Sequence, residues 1–286
     1  MEKSSGRDSA PSVLRVEAQA FPVNAYLVET ANGVVAVDSL LTVSDARALR
    51  ARLERRGKPL LAVLVTHAHP DHYAGLTELV AGDDVPILAT SGVAEVIRRD
   101  DAVKDTILGP MFGDEWPRKR IFPNRTVEDG ETVTFDDVRF RVVDLGPGES
   151  PHDSIWVLDG EEPRAFVGDV VYNRMHGYLA DGHYEAWLRN LDRVRAMFAP
   201  DTVLYVGHGD AATPALLDWQ AGYIRTFVEA VETAARAGDD ADAAARRVTE
   251  QVRAYLSGED LLFLMQLSID PVRVRIEAVR ERAEAS

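Results

Sequence analysis

Short apolar runs separated by turn-forming residues dominate the pattern along the chain, and they predict strands before helices. Residues 13–21, 24–29 and 34–38 read as β-rich segments, set apart by Pro22 and by the hairpin signal Asn32-Gly33. A helix is expected over 43–56, with Thr42 or Ser44 as N-cap and Gly57-Lys58-Pro59 as its end. Residues 60–65 are continuously apolar, as in a strand buried on both faces. That run leads into Thr66-His67-Ala68-His69-Pro70-Asp71-His72, and a helix is expected to resume over 73–80. Residues 101–130 have weak periodicity and several breakers (Gly109-Pro110, Gly113, Pro117, Pro123), which predicts a loop-rich middle. Strands return at 131–135, 138–145, 154–158 and 165–167. A helix over 184–198 is followed by a strand over 202–206, which ends at Gly207-His208-Gly209. From residue 214 the chain reads as helical, broken at 237–240 and 257–258. There is no internal repeat and no Pro- or Ser-rich linker. The expected organisation is a disordered stretch over 1–12, one compact α/β catalytic domain over 13–213, and a helical C-terminal extension over 214–286 packed on it.

Composition narrows the function. A length of 286 residues, 46% of them apolar and 28% charged, supplies a sizeable core. The formal net charge of −15 argues against a nucleic-acid binder. The start, MEKSSGRDSAPS, lacks the apolar stretch of a signal peptide, and residues 60–65 are too few to span a bilayer. A cytoplasmic protein without a membrane partner is therefore expected, and the helical extension offers a homodimer contact. The absence of Cys removes disulfides, Cys-ligated zinc, iron–sulfur clusters and thiol nucleophiles together.

Histidine carries the chemistry instead. Three of the seven histidines fall within six residues. His67 and His69 lie on one side of an extended segment leaving a buried strand, so both imidazoles point at one ion. Asp71 and His72 follow in a turn, where they serve a second ion. Neutral imidazole with carboxylate suits zinc, and also iron or manganese as carboxylates accumulate.

Placed after an apolar strand, HAHPDH resembles the HxHxDH signature of metallo-β-lactamase-fold hydrolases. The likeness continues through Gly146-Pro147-Gly148, Gly168-Asp169 and Gly207-His208-Gly209, and covers roughly residues 13 to 210. The resemblance implies a four-layer αβ/βα sandwich with the ligands on loops at one edge. It implies two divalent metal ions, with zinc first and iron or manganese as alternatives. His67 and His69 would hold one ion; Asp71, His72 and His208 would hold the other; Asp169 would bridge them. A bridging Asp169 is similar to the glyoxalase II-like and lactonase-like branches, not to the true β-lactamases.

One position departs from the family pattern. Where its members usually read Gly-His-Ser/Thr, this chain has Gly146-Pro147-Gly148-Glu149-Ser150-Pro151-His152-Asp153. Register favours Glu149 as the third ligand of the first ion, and ligand chemistry favours His152. The implied reaction is hydrolysis of a small ester, thioester or lactone through a metal-bound hydroxide, with Asp71 orienting it or taking its proton. Tyr172 resembles a lactonase tyrosine near the substrate carbonyl; the other reading is a packed loop aromatic. The alternatives are a mononuclear iron dioxygenase of the persulfide-oxidising type, which Glu149 would encourage, and a phosphodiesterase. Among weaker signals, Asp38 suits a ligand-orienting acceptor or a turn, and His176 and His183 suit surface or capping roles. Residues 261–265, with Met111, Phe112 and Trp116, suit core packing or an apolar lid.

Overall fold

The computed structural model describes residues 10–160, 162 and 164–284, so residues 1–9 of the expected disordered start lie outside the described residues. Eleven strands among the described residues form two sheets. The first contains β1 (Val13–Glu17), β2 (Asn24–Glu29), β3 (Val34–Val37), β4 (Leu60–Leu64), β5 (Ile87–Thr90) and β6 (Arg125–Val127), in that spatial order. β1 to β3 pair antiparallel and β3 to β6 parallel. The second sheet contains β7 (Thr132–Phe135), β8 (Val138–Gly146), β9 (Asp153–Leu158), β10 (Arg164–Tyr172) and β11 (Val203–His208). Only its β10–β11 pair is parallel.

The two-residue side-chain period of a strand explains the layers. Tyr26 and Val28, Val35 and Val37, and Ala62 and Leu64 face the second sheet, where they meet Phe140, Val142, Trp156 and Phe166. The alternate residues Ala25 and Leu27, Val34 and Ala36, and Val63 and Val65 join the other core cluster, which includes the buried faces of the helices. Both faces of β2, β3 and β4 are thus buried, which accounts for the unbroken apolar run before the histidines. Helices α1 (Val43–Glu54), α2 (Pro70–Tyr73), α3 (Leu76–Val80) and α4 (Ser91–Phe112) follow strands of the first sheet. α5 (Tyr184–Met197) and α6 (Leu216–Ala237) pack on β10 of the second. α7 (Ala241–Tyr255) and α8 (Leu262–Glu284) complete the C-terminal helices and pack with α6. The result is the expected αβ/βα sandwich with its helical extension.

The middle of the chain differs from expectation. Residues 101–112 are not loop but the second half of the 22-residue α4, and β6 follows. Thr90 caps the helix by accepting from Val93 N, and Val93, Ala94, Val96 and Ile97 bury its first turns. Pro110 falls in the last turn, where its missing N–H removes one helical hydrogen bond, and Gly113 ends the helix three residues later. The expected helix over 73–80 is likewise split into α2 and α3.

This topology brings several loops to one edge. His67 and His69 follow β4, Asp71 and His72 lie in α2, and Glu149 lies between β8 and β9. Asp169 sits within β10 and His208 at the end of β11. An isolated bridge between His67 and Asp153 ties the two sheets together there.

Candidate metal centre

Four imidazoles converge on this edge, and each is fixed by one nitrogen so that the other faces inward. His67 Nδ1 lies 3.0 Å from Thr66 Oγ1, and that hydroxyl donates to Asp38 Oδ2 at 2.8 Å. The relay leaves the proton on Nδ1 and frees His67 Nε2 as a lone-pair donor. His72 Nδ1 lies 2.8 Å from Asp38 Oδ2, and His69 Nε2 lies 3.0 Å from Asp181 Oδ2. His208 Nδ1 donates to the Pro22 carbonyl. Asp38 holds a left-handed backbone (φ 62°) to serve both relays, local strain of the kind that collects at functional sites. Its ligand-orienting reading therefore fits the geometry. Asp181 was not singled out in the sequence, because a lone acid in a loop carries no spacing signal.

The inward atoms form two groups that share one residue. His67, His69, Glu149 and Asp169 make one, and Asp71, His72, Asp169 and His208 make the other; in each, the candidate donor atoms all lie within 4.8 Å of one another. His69 Nδ1 is 2.9 Å from Glu149 Oε2, and His67 Nε2 is 3.7 Å from the same oxygen. In the second group His72 Nε2 is 3.2 Å from Asp169 Oδ1 and 3.5 Å from Asp71 Oδ2; His208 Nε2 is 3.4 Å from Asp71 Oδ2. His208 Nε2 also hydrogen-bonds Asp169 Oδ2 at 3.0 Å, but the other inward atoms are not paired in this way. Buried His67 Nε2, His72 Nε2, Glu149 Oε2 and Asp169 Oδ1 have no hydrogen-bond partner at all. Orphaned buried polar atoms are costly, and four of them aimed at one another fit a pair of cations better than any protein partner.

The electrostatics agree. Burial keeps His67 well below its ordinary pKa, helped by the neighbouring His72, so it stays neutral. Burial opposes charge on His69 and His208 too. Yet Glu149 and Asp181 raise His69 well above the usual range, and Asp169 pushes His208 to about 10. Burial pushes Glu149 up to about 8, against the pull of His69. Burial works the same way on Asp169, but the surrounding imidazoles hold it well below the usual carboxylate range. Without ions, then, the carboxylates are balanced by protons on imidazoles, a role that divalent cations take over.

The structure places the two third-ligand candidates differently. Asp153 accepts from Glu149 N at 2.6 Å, Ser150 N at 3.1 Å and Ser150 Oγ at 2.5 Å. The resulting tight turn tucks Glu149 inward and swings His152 out. His152 belongs to neither group, contrary to the ligand-chemistry expectation. Its Nε2 pairs with Asp144 Oδ1 at 2.8 Å, and its ring occupies the space that a Cβ at Gly92 would fill.

Tyr172 is buried, and its hydroxyl lies 2.8 Å from both Glu149 Oε1 and Asp169 Oδ2. Its ring stacks on His208 with centroids 4.9 Å apart. Its proton is thus shared between carboxylates of the two groups. Gly207 makes this closeness possible: a Cβ there would meet Asp169 Oδ1 at 1.8 Å. Besides His152, two further histidines stand outside both groups. His176 is buried between Tyr223 Oη and the Gly258 carbonyl, and His183 precedes α5. An apolar groove opens beside Asp71, Asp169 and His208; Met111, Phe112, Phe263 and Leu264 help line it, whereas Trp116, Leu262 and Met265 are core.

Comparison with known proteins bears on this geometry. Hydroxyacylglutathione hydrolases of Prochlorococcus marinus (strain MIT 9301) and Cupriavidus metallidurans are 28% identical over 151 and 175 residues, or 52% and 57% of this chain. Those segments are 51% and 56% of the relatives, so the chain spans about half the length of the curated relatives it matches. A beta-lactamase domain protein from Burkholderia ambifaria shares the fold with a TM-score of 0.69 at 19% identity, covering 94% of this chain and 88% of that one. The di-iron-bound form of TTHA1623 gives a TM-score of 0.58 at 28% identity, covering 71% and 96%. The family model described as the metallo-beta-lactamase superfamily matches residues 18–209, and the chain belongs to that superfamily.

Proposed function

We propose that the protein is a metal-dependent hydrolase with two ions per chain, acting on a small ester, thioester or lactone. The observation that carries the reading is the pair of donor groups sharing Asp169, with orphaned buried atoms in both. His67, His69 and Glu149 would hold one ion, Asp71, His72 and His208 the other, with Asp169 between them. Paired divalent cations lower the pKa of a shared water toward neutrality and polarise a carbonyl. The chain's own groups do the rest. Of the three carboxylates, Asp71 alone is partly exposed, and it lines the groove. It is the group placed to orient the attacking water and take its proton. Tyr172 holds Glu149 and Asp169 in register, and Asp38 and Asp181 hold three imidazoles in theirs. The hydrolase names of the relatives support the reaction class.

One observation favours a second reading. Glu149 with His67 and His69 forms a two-His, one-carboxylate set, which also suits a mononuclear iron dioxygenase. The complete second group weighs against it. The deciding experiment measures metal per chain in protein purified without added metal, together with turnover on a panel of esters, thioesters and lactones. Two ions, loss of turnover on chelation, and an inactive but folded Asp169→Asn variant are expected. One iron with oxygen uptake would overturn the hydrolase reading.

A further inference from the structure

The groove beside the metal centre encloses about 170 Å³ and opens to solvent. One end is formed by Asp71, Asp169 and His208, and it runs outward between α4 and α8. Its outer walls are aliphatic and aromatic. Ile107 and Met111 are one helical turn apart on α4, and Phe263 and Leu267 are one turn apart on α8, so each helix presents a single stripe. These four side chains are 56%, 56%, 42% and 55% exposed. The rim of the groove is therefore large apolar surface left to water, in a chain of net charge −15. Lys104 is the only lysine or arginine among the described residues lining the groove, and Asp100 and Asp181 already feel its charge.

We infer that the groove takes an unbranched apolar chain, so that the substrate is an ester, thioester or lactone with a medium-length aliphatic acyl group. The inference rests on the hydrolase reading above, and continuity of the apolar stripes with the metal centre singles out the substrate's own tail as the occupant. A thioester of a tripeptide thiol bearing two carboxylates would meet one lysine, Lys104, among the described lining residues, and an aliphatic tail covers the exposed rim without needing a cation. A short hydroxyacyl group would leave the apolar rim uncovered.

Two measurements on the full-length protein as purified test this separately from the reaction. Neutral n-alkyl amides from butanamide to octanamide are titrated by calorimetry, and each buried methylene is expected to tighten binding about fourfold. On p-nitrophenyl esters from acetyl to octanoyl, kcat/KM is expected to rise by a similar factor per methylene. The Ile107→Gln, Leu267→Gln double variant lowers the octanoyl-to-acetyl ratio of kcat/KM at least tenfold. Flat amide and ester series would overturn the inference. So would a double variant that keeps the ratio and changes only the molecular mass in solution, because the stripes would then be an interface with a second copy of the chain. A steep amide series with no ester, thioester or lactone turned over would retain the apolar chain as occupant and sink the hydrolase reading instead.

Discussion

Glu149→Gln and His152→Asn form the sharpest pair of tests, because the two side chains compete for one role from positions three residues apart. Glu149 is fully buried with Oε2 orphaned 2.9 Å from His69 Nδ1, whereas His152 is paired with Asp144 outside the site. Glutamine keeps the shape of Glu149 and removes its negative charge. Loss of a partner that only orients a ligand costs about 10–100-fold in metal affinity, so loss of the ligand itself is taken as about 100-fold. With metal in excess, that removes about 2.7 kcal/mol of the stabilisation that binding confers. An unfolding entropy of about 2.1 cal/mol/K per residue over this chain length gives about 0.6 kcal/mol per degree. The rise in Tm on metal loading should therefore shrink by about 4–5 °C in Glu149→Gln and stay unchanged in His152→Asn.

The metal-free proteins should behave the opposite way. Burial raises Glu149 from its ordinary 4.5 to about 8 in the fold, so between those values the folded chain holds a proton that the unfolded chain has lost. Stability then falls as pH rises through that window. Glutamine abolishes the dependence. Metal-free Glu149→Gln should be at least as stable as the parent above about pH 4.5, with the gap widening up to about pH 8. Calorimetric Tm with and without chelator, beside elemental analysis of dialysed protein, reads both effects. Loss of an ion in His152→Asn with two ions retained in Glu149→Gln would refute the reasoning.

Three further outcomes follow from the same geometry. The Asp144–His152 pair raises His152 through its hydrogen bond, and Asp144 is held below its ordinary value, its burial outweighed by His152. The pair stabilises the fold above about pH 4, where Asp144 is ionised, and loses its effect as pH rises through the elevated His152 value. His152→Asn should cost about 1 kcal/mol in denaturant unfolding at pH 5.5, and an equal cost at pH 9 would contradict the pairing. Tyr172→Phe should weaken metal binding by up to about tenfold while kcat at saturating metal falls less than tenfold; a kcat loss of about 10²-fold or more would show a direct role on the oxyanion instead. Gly207→Ala forces Asp169 away from a Cβ that would otherwise lie 1.8 Å from its Oδ1, so the variant should hold fewer than two ions per chain. Full metal content in that variant would argue that Asp169 is not shared.

What was legible in the sequence, and what was not, follows from how locally each feature is encoded. β2, β3 and β4 are buried on both faces, so their apolar runs declare themselves without knowledge of their neighbours. The ligand groups were legible for a related reason: His67, His69, Asp71 and His72 lie within six residues, and Asp169 and His208 each follow a glycine late in a strand. α4 was hidden because Gly109-Pro110 reads as a breaker, whereas the helix runs through both and ends only at Phe112. Glu149 and His152 were left open because register pointed to the first and ligand chemistry to the second. The residue that separates their positions is Asp153, whose carboxylate gathers two backbone N–H groups and a hydroxyl into the turn that aims Glu149 inward. Ser150-x-x-Asp153 is a local signal of such a turn and was available in the sequence. Asp181 is different in kind. It reaches His69 from 112 residues away through a loop, so only the assembled fold reveals it. The candidate ligands of this site are written locally, and the groups that orient them are written partly in the topology.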